Sequence, residues 1–180
     1  MPHDHDRDHP HEKSPAREHR AAGPSSLGIQ VITVSDTRGA ADDRSGNLLA
    51  ELFRAAGHQV RDVMIVTDDA AAIGGAIALA EKDEAIRAIV LNGGTGIAKR
   101  DVTVEAVTPL LDKVLPGFGE LFRHLSFAEI GAAAILSRAV AGSRGHRMLF
   151  VLPGSTNAVR LAAERLILPE LSHLVRELDK

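Results

Sequence analysis

A regular alternation of strand-like and helix-like segments constrains the fold of this chain more than any other feature of its sequence. Short runs typical of strands occupy residues 28–34, 58–66 and 86–91, and helix-like segments follow them at 44–56, 70–81 and 104–111. Such an alternation is typical of a mostly parallel sheet that carries helices on both faces. The sequence therefore predicts a three-layer α/β/α domain.

The second half of the chain predicts further elements of the same domain. A helix is expected over 120–127, with Leu121, Phe122 and Leu125 on one side, and we interpret this side as core rather than as a subunit interface. Strands are expected at 134–141 and 148–152, separated by a turn at 142–146. A helix over 157–168 and a last helix that begins near Pro169 complete the prediction.

Composition narrows the possible classes of function. The chain has 180 residues, 44% of them hydrophobic, a formal net charge of −3, and no Trp, Tyr or Cys. A weakly acidic chain without Trp or Tyr lacks the basic patch and the stacking rings of a nucleic-acid binder, and cysteine chemistry is excluded. Apolar runs are too short to cross a bilayer and the N-terminus has no secretory apolar region, so we expect a cytoplasmic protein without membrane contact.

The first 26 residues differ in composition from the remainder. They hold five of the nine histidines and almost no large apolar side chains. Such a segment cannot bury enough apolar surface to offset the entropy of ordering it. We therefore predict a disordered His-rich tail at 1–26 and one domain at 27–180.

A glycine-rich turn, Gly93-Gly94-Thr95-Gly96, lies between a buried strand and a predicted helix. Glycines allow the backbone N–H groups of such a turn to close on an anionic ligand, because no Cβ obstructs the approach. Asp101 then places a carboxylate near the turn. The same residues would also form an ordinary tight turn with a helix cap, and the stretch by itself leaves both interpretations open.

The carboxyl ends of parallel strands collect these features at one edge of the sheet. In such sheets ligands bind outside the carboxyl ends of the strands. Three loops there carry Asp36, Asp43, Asp68 and Asp101, although helix caps alone would explain most of these acids. Pro153-Gly154-Ser155 forms a second strand-to-helix turn, which an ordinary Ser cap would equally explain.

The chemistry of this edge suits a phosphorylated ligand with a divalent cation. Backbone N–H groups would hold phosphate, and carboxylates would hold Mg²⁺, which prefers one or two protein oxygens together with phosphate and water. Lysine and arginine side chains could neutralise the remaining charge, with candidates at Arg38, Lys99, Arg100 and Arg138.

Seven short motifs follow one another in an order that matches a known family. They are Val34-Ser35-Asp36-Thr37, Asp43-Arg44-Ser45-Gly46, Val66-Thr67-Asp68-Asp69, Gly93-Gly94-Thr95-Gly96 with Arg100-Asp101-Val102-Thr103, Gly117-Phe118-Gly119-Glu120, Leu136-Ser137-Arg138-Ala139 and Pro153-Gly154-Ser155. In these motifs the chain resembles the MoaB/MogA family of molybdenum cofactor biosynthesis proteins. The fifth and sixth motifs look more like the MoaB branch. The resemblance covers nearly everything from Leu27 onward.

The resemblance implies a function and a set of site residues. The implied activity is Mg-dependent adenylylation of molybdopterin by ATP, which gives adenylyl-molybdopterin and pyrophosphate. The implied partner is a molybdate insertion protein of the MoeA type, and the implied assembly is a homo-trimer or homo-hexamer. The family's two acidic residues fall on Asp68 and Asp101, which are also the candidate Mg²⁺ ligands. The substrate-binding positions implied by the matching motifs are Ser35, Asp36, Asp43, Ser45, Gly46, Gly93, Gly94, Thr95, Gly96, Arg100, Thr103, Ser137, Pro153, Gly154 and Ser155.

A second function remains open at this point. The chain could be a paralogue or scaffold that binds molybdopterin without turning it over. Asp68 and Asp101 favour the enzyme, because a protein that only binds has little need of two acids beside phosphate groups.

Overall fold

The computed structural model of the protein describes residues 24, 26–37, 39 and 41–180. The predicted tail at 1–26 and the candidate cation Arg38 therefore lie mostly or wholly outside the described residues. The strands are β1 (Gly28–Val34), β2 (Gln59–Val60), β3 (Met64–Val66), β4 (Ile86–Asn92), β5 (Lys113–Val114), β6 (Val140–Arg144) and β7 (Arg147–Leu152). The α-helices are α1 (Arg44–Ala55), α2 (Ala70–Ala80), α3 (Thr103–Val107), α4 (Pro116–Ile130), α5 (Thr156–Ala162) and α6 (Leu168–Leu178).

These strands form one mixed sheet of seven strands. β1 lies between β4 and the two short strands β2 and β3, and the order then continues β4–β7–β6–β5. All pairings among β1, β2, β3, β4 and β7 are parallel, whereas β6 is antiparallel to both β7 and β5. The predicted mostly parallel sheet is confirmed, and its small antiparallel part, β6 and β5, lies at one edge.

Helices cover both faces of the sheet, which confirms the predicted three layers. Side chains alternate between the two faces along each strand, so β1 sends Ile29 and Val31 to one face and Ile32 and Val34 to the other. The first face packs against α1, α4, α5 and α6, and the second packs against α2 and α3. Both clusters consist largely of side chains with almost no exposed surface, as expected of parallel strands buried on both faces.

Several predicted elements differ from the structure in the second half of the chain. Residues 131–136 form a 3₁₀-helix rather than the first part of a strand, and the strand β6 begins only at Val140. Gly142 was placed in a turn by the sequence, but it lies inside β6 opposite Val114. A Cβ at Gly142 would overlap the carbonyl oxygen of Lys113, so this glycine serves the close approach of β5 rather than a turn.

Helix and strand boundaries account for the other differences. The predicted strand at 58–66 is two short strands, β2 and β3, that pair with β1 at different positions. The predicted helix at 104–111 is α3 followed by a 3₁₀ turn at Thr108–Leu110, and the predicted helix at 120–127 extends over the whole of α4. A π-helical turn at Ala163–Ile167 joins α5 to α6.

Candidate functional site

A polar crevice of about 370 Å³ opens at the carboxyl ends of the parallel strands. Its lining comes from the loops that follow β1, β3, β4 and β7, as the parallel arrangement predicts. The lining residues are Val34, Ser35, Asp36, Thr37, Asp68, Gly93, Gly94, Thr95, Gly96, Arg100, Asp101, Leu136, Pro153 and Gly154. Most of the predicted site residues, including Asp68 and Asp101, therefore meet in one place.

The glycine turn after β4 has a backbone that other residues would not readily adopt. Gly93 and Gly94 have φ values of 100° and 59°, in the region that favours glycine. A Cβ on Gly93 would overlap the carbonyl oxygen of Val34. A Cβ on Gly94 would overlap the hydroxyl of Thr103 and lie 2.6 Å from Oδ1 of Asp68. The turn is thus in direct contact with its neighbours on both sides.

The N–H groups of this turn are only partly used within the protein. The Gly93 N–H donates to the Leu152 carbonyl at 3.0 Å. Among the residues that the structure describes, the N–H groups of Gly94, Thr95 and Gly96 have no acceptor. Three backbone donors at the lining of the crevice therefore remain for a bound molecule.

Helix capping explains some of the predicted acids and fails for the two central ones. Asp43 caps α1 by accepting from the Gly46 N–H at 2.9 Å. The cap of α2 is Asp69, which accepts from the N–H groups of Ala71 and Ala72, and α3 has no side-chain cap at all. Asp68 and Asp101 are therefore held in the crevice by something other than helix capping.

Both acids accept backbone N–H groups of the segment that follows the glycine turn. Asp68 Oδ1 accepts from Val102 at 3.2 Å, and Asp101 Oδ2 accepts from Ala98 at 2.9 Å. The N–H of Asp68 in turn donates to Asp36 Oδ1 at 3.0 Å. These bonds fix one oxygen of each carboxylate and tie together the loops that follow β1, β3 and β4.

The carboxylate of Asp68 lies in surroundings that disfavour its charge. Burial raises the pKa of Asp68, and the negative charges of Asp101 and Asp36 raise it further. The Val102 N–H and the Arg100 guanidinium oppose these effects but do not reverse them. A carboxylate whose charge is disfavoured by two neighbouring carboxylates indicates a site that would be stabilised by a cation.

The predicted cations differ in their positions. Arg100 lines the crevice, is largely exposed and lies 3.9 Å from Asp36 Oδ2. Arg138 instead pairs with Glu105 at 2.5 Å, and neither Arg138 nor Lys99 lines the crevice. Within the described residues, no group of three or more His, Cys, Asp or Glu side chains could hold a metal ion by itself.

The remaining predicted site residues lie beneath the crevice or beside it. Asp43, Gly46 and Thr103 are buried and do not line it, and the Thr103 hydroxyl has no hydrogen-bond partner among the described residues. Ser155 caps α5 through the Ala158 N–H at 3.2 Å. Ser45, Ser155 and Gly154 line a second cavity of about 330 Å³, and Gly154 belongs to both cavities. Ser137 ends the 3₁₀-helix, where its neighbour Leu136 reaches the crevice.

Sequence reasoning missed several residues of this region. Thr37 and Val34 line the crevice, and their position beside Ser35 and Asp36 was the signal that could have identified them. Leu136 stands beside the predicted Ser137 in the sixth motif, but its segment was predicted to be a strand. Thr33 and Asn92 lie in a buried group of hydrogen bonds under the glycine turn; Thr33 was hidden inside a predicted apolar strand, and Asn92 follows the end of another.

Fold and crevice together define a doubly wound α/β protein with a polar ligand site at the carboxyl ends of its strands. The family described as a probable molybdopterin binding domain matches residues 30–173. The chain therefore belongs to this family, which includes the MoaB and MogA proteins. Among the described residues, none of the helices combines the length and the apolar character needed to cross a bilayer.

Individual relatives place the chain nearer to one branch. It is 50% identical over 165 residues to the molybdenum cofactor biosynthesis protein B of Bacillus subtilis. This match covers 91% of the present chain and 97% of the relative. A crystal structure of a molybdenum cofactor biosynthesis protein B has a TM-score of 0.84 at 50% identity, over 87% of this chain and 98% of the other. The Mog protein of Mycobacterium ulcerans has a TM-score of 0.76 at 27% identity, over 84% and 99%. The chain is a member of the MoaB branch and takes part in molybdenum cofactor biosynthesis.

Proposed function

We propose that the protein transfers the adenylyl group of MgATP to molybdopterin, giving adenylyl-molybdopterin and pyrophosphate. The observation that supports this most is the position of Asp68 and Asp101. Both acids line a crevice with the glycine turn, and neither caps a helix. A site that only bound an anionic pterin phosphate would be weakened by two such carboxylates.

Backbone donors of the glycine turn are suited to the phosphate groups of the substrates. Gly94, Thr95 and Gly96 supply the three unused N–H groups, and the two glycines have no side chain of their own that could obstruct a phosphate. Arg100 lines the crevice, and its guanidinium adds a positive charge. These groups would bind and orient the two anionic substrates, which is the main requirement of phosphoryl-group transfer.

Asp68 and Asp101 would hold the Mg²⁺ that accompanies ATP. Each has one carboxylate oxygen fixed by a backbone N–H and a second oxygen that is not used in this way. Two carboxylate oxygens together with phosphate and water suit the octahedral preference of Mg²⁺. When bound, the ion would neutralise part of the phosphate charge. Asp68 and Asp101 would hold the ion, and the backbone N–H groups would stabilise the phosphate charge that remains.

The reaction forms one P–O bond and breaks another. An oxygen of the terminal phosphate of molybdopterin attacks the α-phosphorus of ATP, and the bond from that phosphorus to the oxygen that bridges to the β-phosphate breaks. The leaving group is pyrophosphate, so no external oxidant or base is consumed. Because ATP is supplied in the cytoplasm, we place the reaction there, and a MoeA-type protein would take the product for molybdate insertion.

An exposed apolar face supports a homo-oligomer, which we propose to be a trimer or a hexamer. Phe127, Ile130, Ile135 and Leu136 are each more than half exposed on α4 and the following 3₁₀-helix, as is Leu121 on α4. Neighbouring apolar side chains of this size rarely stay in contact with water. Light scattering of the full chain checks the assembly, and Phe127→Ser should reduce its mass toward that of one chain.

A direct turnover assay tests the proposed activity. Purified protein is mixed with molybdopterin and MgATP, and adenylyl-molybdopterin and pyrophosphate are measured. We expect Asp68→Asn and Asp101→Asn each to lower turnover by about 100-fold or more, since each removes a charge beside the reacting phosphates. Asp69→Asn is the matched control, because asparagine retains the helix cap and Asp69 does not line the crevice.

The non-catalytic alternative predicts a different result. Its support is the 50% identity to protein B relatives, against 27% to a Mog protein. Tight molybdopterin binding without product in the wild type would establish that alternative and contradict the proposed activity. Full turnover in both Asn variants would leave the activity intact and remove Asp68 and Asp101 from it.

A further inference from the structure

Four buried polar side chains, linked by three hydrogen bonds, form a ring of close polar contacts directly under the crevice. Thr33 Oγ1 donates to Asp43 Oδ2 at 2.6 Å, and Asn92 Nδ2 donates to Thr33 Oγ1 at 3.0 Å. Ser45 Oγ donates to Asn92 Oδ1 at 2.8 Å, and it lies 3.3 Å from Asp43 Oδ1, a contact that completes the ring without a further hydrogen bond. Each of the four residues is at most 1% exposed.

Donors and acceptors in this ring fit one consistent arrangement. A serine hydroxyl has a single hydrogen, and the shorter distance assigns it to Asn92 Oδ1. The Asn92 amide then donates to Thr33, and the Thr33 hydroxyl donates to the carboxylate of Asp43. The other oxygen of the Asp43 carboxylate, Oδ1, accepts a hydrogen bond from the Gly46 N–H at 2.9 Å. A buried polar group satisfied in this way is rigid and costly to disturb.

Position makes this ring more than a device for stability. Thr33 lies in β1 two residues before Ser35, and Asn92 is the last residue of β4, immediately before Gly93. Asp43 and Ser45 begin α1. The ring therefore ties together the ends of the two strands whose loops supply Ser35, Asp36 and the glycine turn to the crevice.

A glycine turn needs such support more than other turns do. Glycine has the largest conformational freedom to lose, so a turn with φ values of 100° and 59° must be held in place by its surroundings. The residue directly before Gly93 is Asn92, and its side-chain amide can both donate and accept hydrogen bonds. Its amide is held on both sides by members of the ring.

We infer that Thr33, Asp43, Ser45 and Asn92 are positioning residues that hold the glycine turn in its ligand-binding conformation. This inference rests on the proposed function for its kinetic part. It gives Asp43 and Ser45 a role through Asn92 that does not require contact with substrate, and it adds Thr33 and Asn92 to the site.

Thr33→Val in the full chain is the main test. Valine has nearly the shape of threonine but removes the bond to Asp43 and the acceptor for Asn92. We expect kcat for adenylylation to fall about 10- to 100-fold with KM for ATP within about twofold, since a displaced turn misorients the phosphates. Thr33→Ser, which keeps the hydroxyl, should recover kcat to within about threefold.

Hydrogen exchange of the turn gives a measurement that does not depend on turnover. The Gly93 N–H donates to the Leu152 carbonyl and the Thr103 N–H donates to the Gly94 carbonyl, so these two amides report how firmly the turn is held. In Thr33→Val both should exchange at least about tenfold faster than in the wild type, and in Thr33→Ser they should not. Thr108→Val is the control, since it removes one hydroxyl bond, to the Val104 carbonyl at 2.7 Å, outside the crevice and the ring.

Each outcome separates this inference from the proposed function. If Thr33→Val lowers only the melting temperature, with kcat and turn exchange as in the wild type, the ring is structural and the inference is wrong. If wild-type protein has no turnover, the proposed function fails and the exchange measurement decides the inference, together with molybdopterin affinity. Faster exchange with weaker molybdopterin binding in Thr33→Val, both reversed in Thr33→Ser, would then support it, and unchanged values would overturn it.

Discussion

Two strand-to-helix turns border the crevice, and they solve the same backbone problem in different ways. After β7, Ser155 caps α5 with its hydroxyl, and Gly154 is not among the described glycines with positive φ. After β4, the turn contains two glycines with positive φ, and α3 begins only at Thr103 without a side-chain cap. Asp101 and Val102 lie between these glycines and α3, and the Val102 N–H donates to the Asp68 carboxylate.

This difference shows how a functional turn can be separated from an ordinary one. In the turn after β7, Ser155 accepts from the Ala158 N–H with its hydroxyl and from the Val159 N–H with its carbonyl, as at an ordinary helix start. The turn after β4 leaves three N–H groups without acceptors and places carboxylates against its glycines. These features are unfavourable, and a bound ligand and cation would compensate for them. Variants of the turn after β4 should therefore lose turnover as well as stability, whereas variants of the turn after β7 should mainly lose stability.

The largest effect is expected at Gly94. In Gly94→Ala the new Cβ would overlap the Thr103 hydroxyl and approach Asp68 Oδ1 to 2.6 Å, at a φ of 59°. We expect turnover to fall by more than about 100-fold and the free energy of unfolding to fall by about 1–3 kcal/mol. Chemical denaturation and the turnover assay measure the two losses. Gly154→Ala, at the other turn, should cost less than about 1 kcal/mol of unfolding free energy, and equal losses would remove the contrast between the turns.

Ser155 is expected to show an intermediate effect that is mainly one of stability. Ser155→Ala removes the cap of α5 and should lower the free energy of unfolding by about 1 kcal/mol. Ser155→Asp restores an equally good cap while it adds a negative charge beside the second cavity. If phosphate groups reach this turn, Ser155→Asp should bind ATP or molybdopterin more weakly at normal stability. Unchanged affinity would restrict Ser155 to its capping role.

A smaller effect, of opposite sign, is expected for the stability of Asp68→Asn. The pKa of the Asp68 carboxyl is higher in the folded protein than in the unfolded chain, so the protonated carboxyl favours the folded state. This stabilisation is fully present below the unfolded pKa of about 3.9 and is lost as the pH rises through the folded pKa. Asp68→Asn should therefore melt slightly higher than wild type at pH 7, and the gain should shrink as the pH is lowered toward 4. Melting curves of Asp68→Asn and Asp69→Asn across this range provide the comparison. A loss of stability at pH 7 in Asp68→Asn alone would contradict it.

The smallest stability effect is expected at Arg100. Its distance to Asp36 is 3.9 Å and its side chain is 69% exposed, so water screens the pair. Arg100→Ala should change the free energy of unfolding by less than about 0.5 kcal/mol. If the guanidinium binds phosphate, the same variant should raise KM for ATP several-fold, and the effect should diminish with added salt. An unchanged KM at low salt would exclude Arg100 from substrate binding.

Sequence alone located the fold and most of the crevice because both follow from strong local patterns. The buried runs of β1, β4 and β7 and the glycine turn between β4 and α3 each have an unambiguous composition, and parallel pairing then brings their loops together. The same reasoning could not distinguish Asp68 from Asp69, since either could cap α2. It misread 134–141 as a strand because Ala-Ile-Leu runs suit several structures, and it took Gly142 for a turn when the approach of β5 was the reason for that glycine.

Buried polar residues were the least predictable part of the site. Thr33 and Asn92 stand in runs of apolar residues, and nothing local indicates that they meet Asp43 and Ser45 under the crevice. Such pairings depend on the register between β1 and β4, in which Thr33 lies opposite Asn92. Register is a property of the assembled sheet, so only the structure could reveal the ring.

The adjacent acids Asp68 and Asp69 have a consequence for the evolution and redesign of this loop. Position 69 requires only a short side chain that accepts a hydrogen bond, so relatives can exchange Asp, Asn, Ser and Thr there at little cost. Asp68 instead accepts from the Val102 N–H, and the proposed function needs a carboxylate at this one point in space. Inserting or deleting one residue in the loop would move one acid into the position of the other and bring a neighbouring residue, Thr67 or Ala70, into the position left behind. The length of this loop is therefore under stronger constraint than the identity of its second acid.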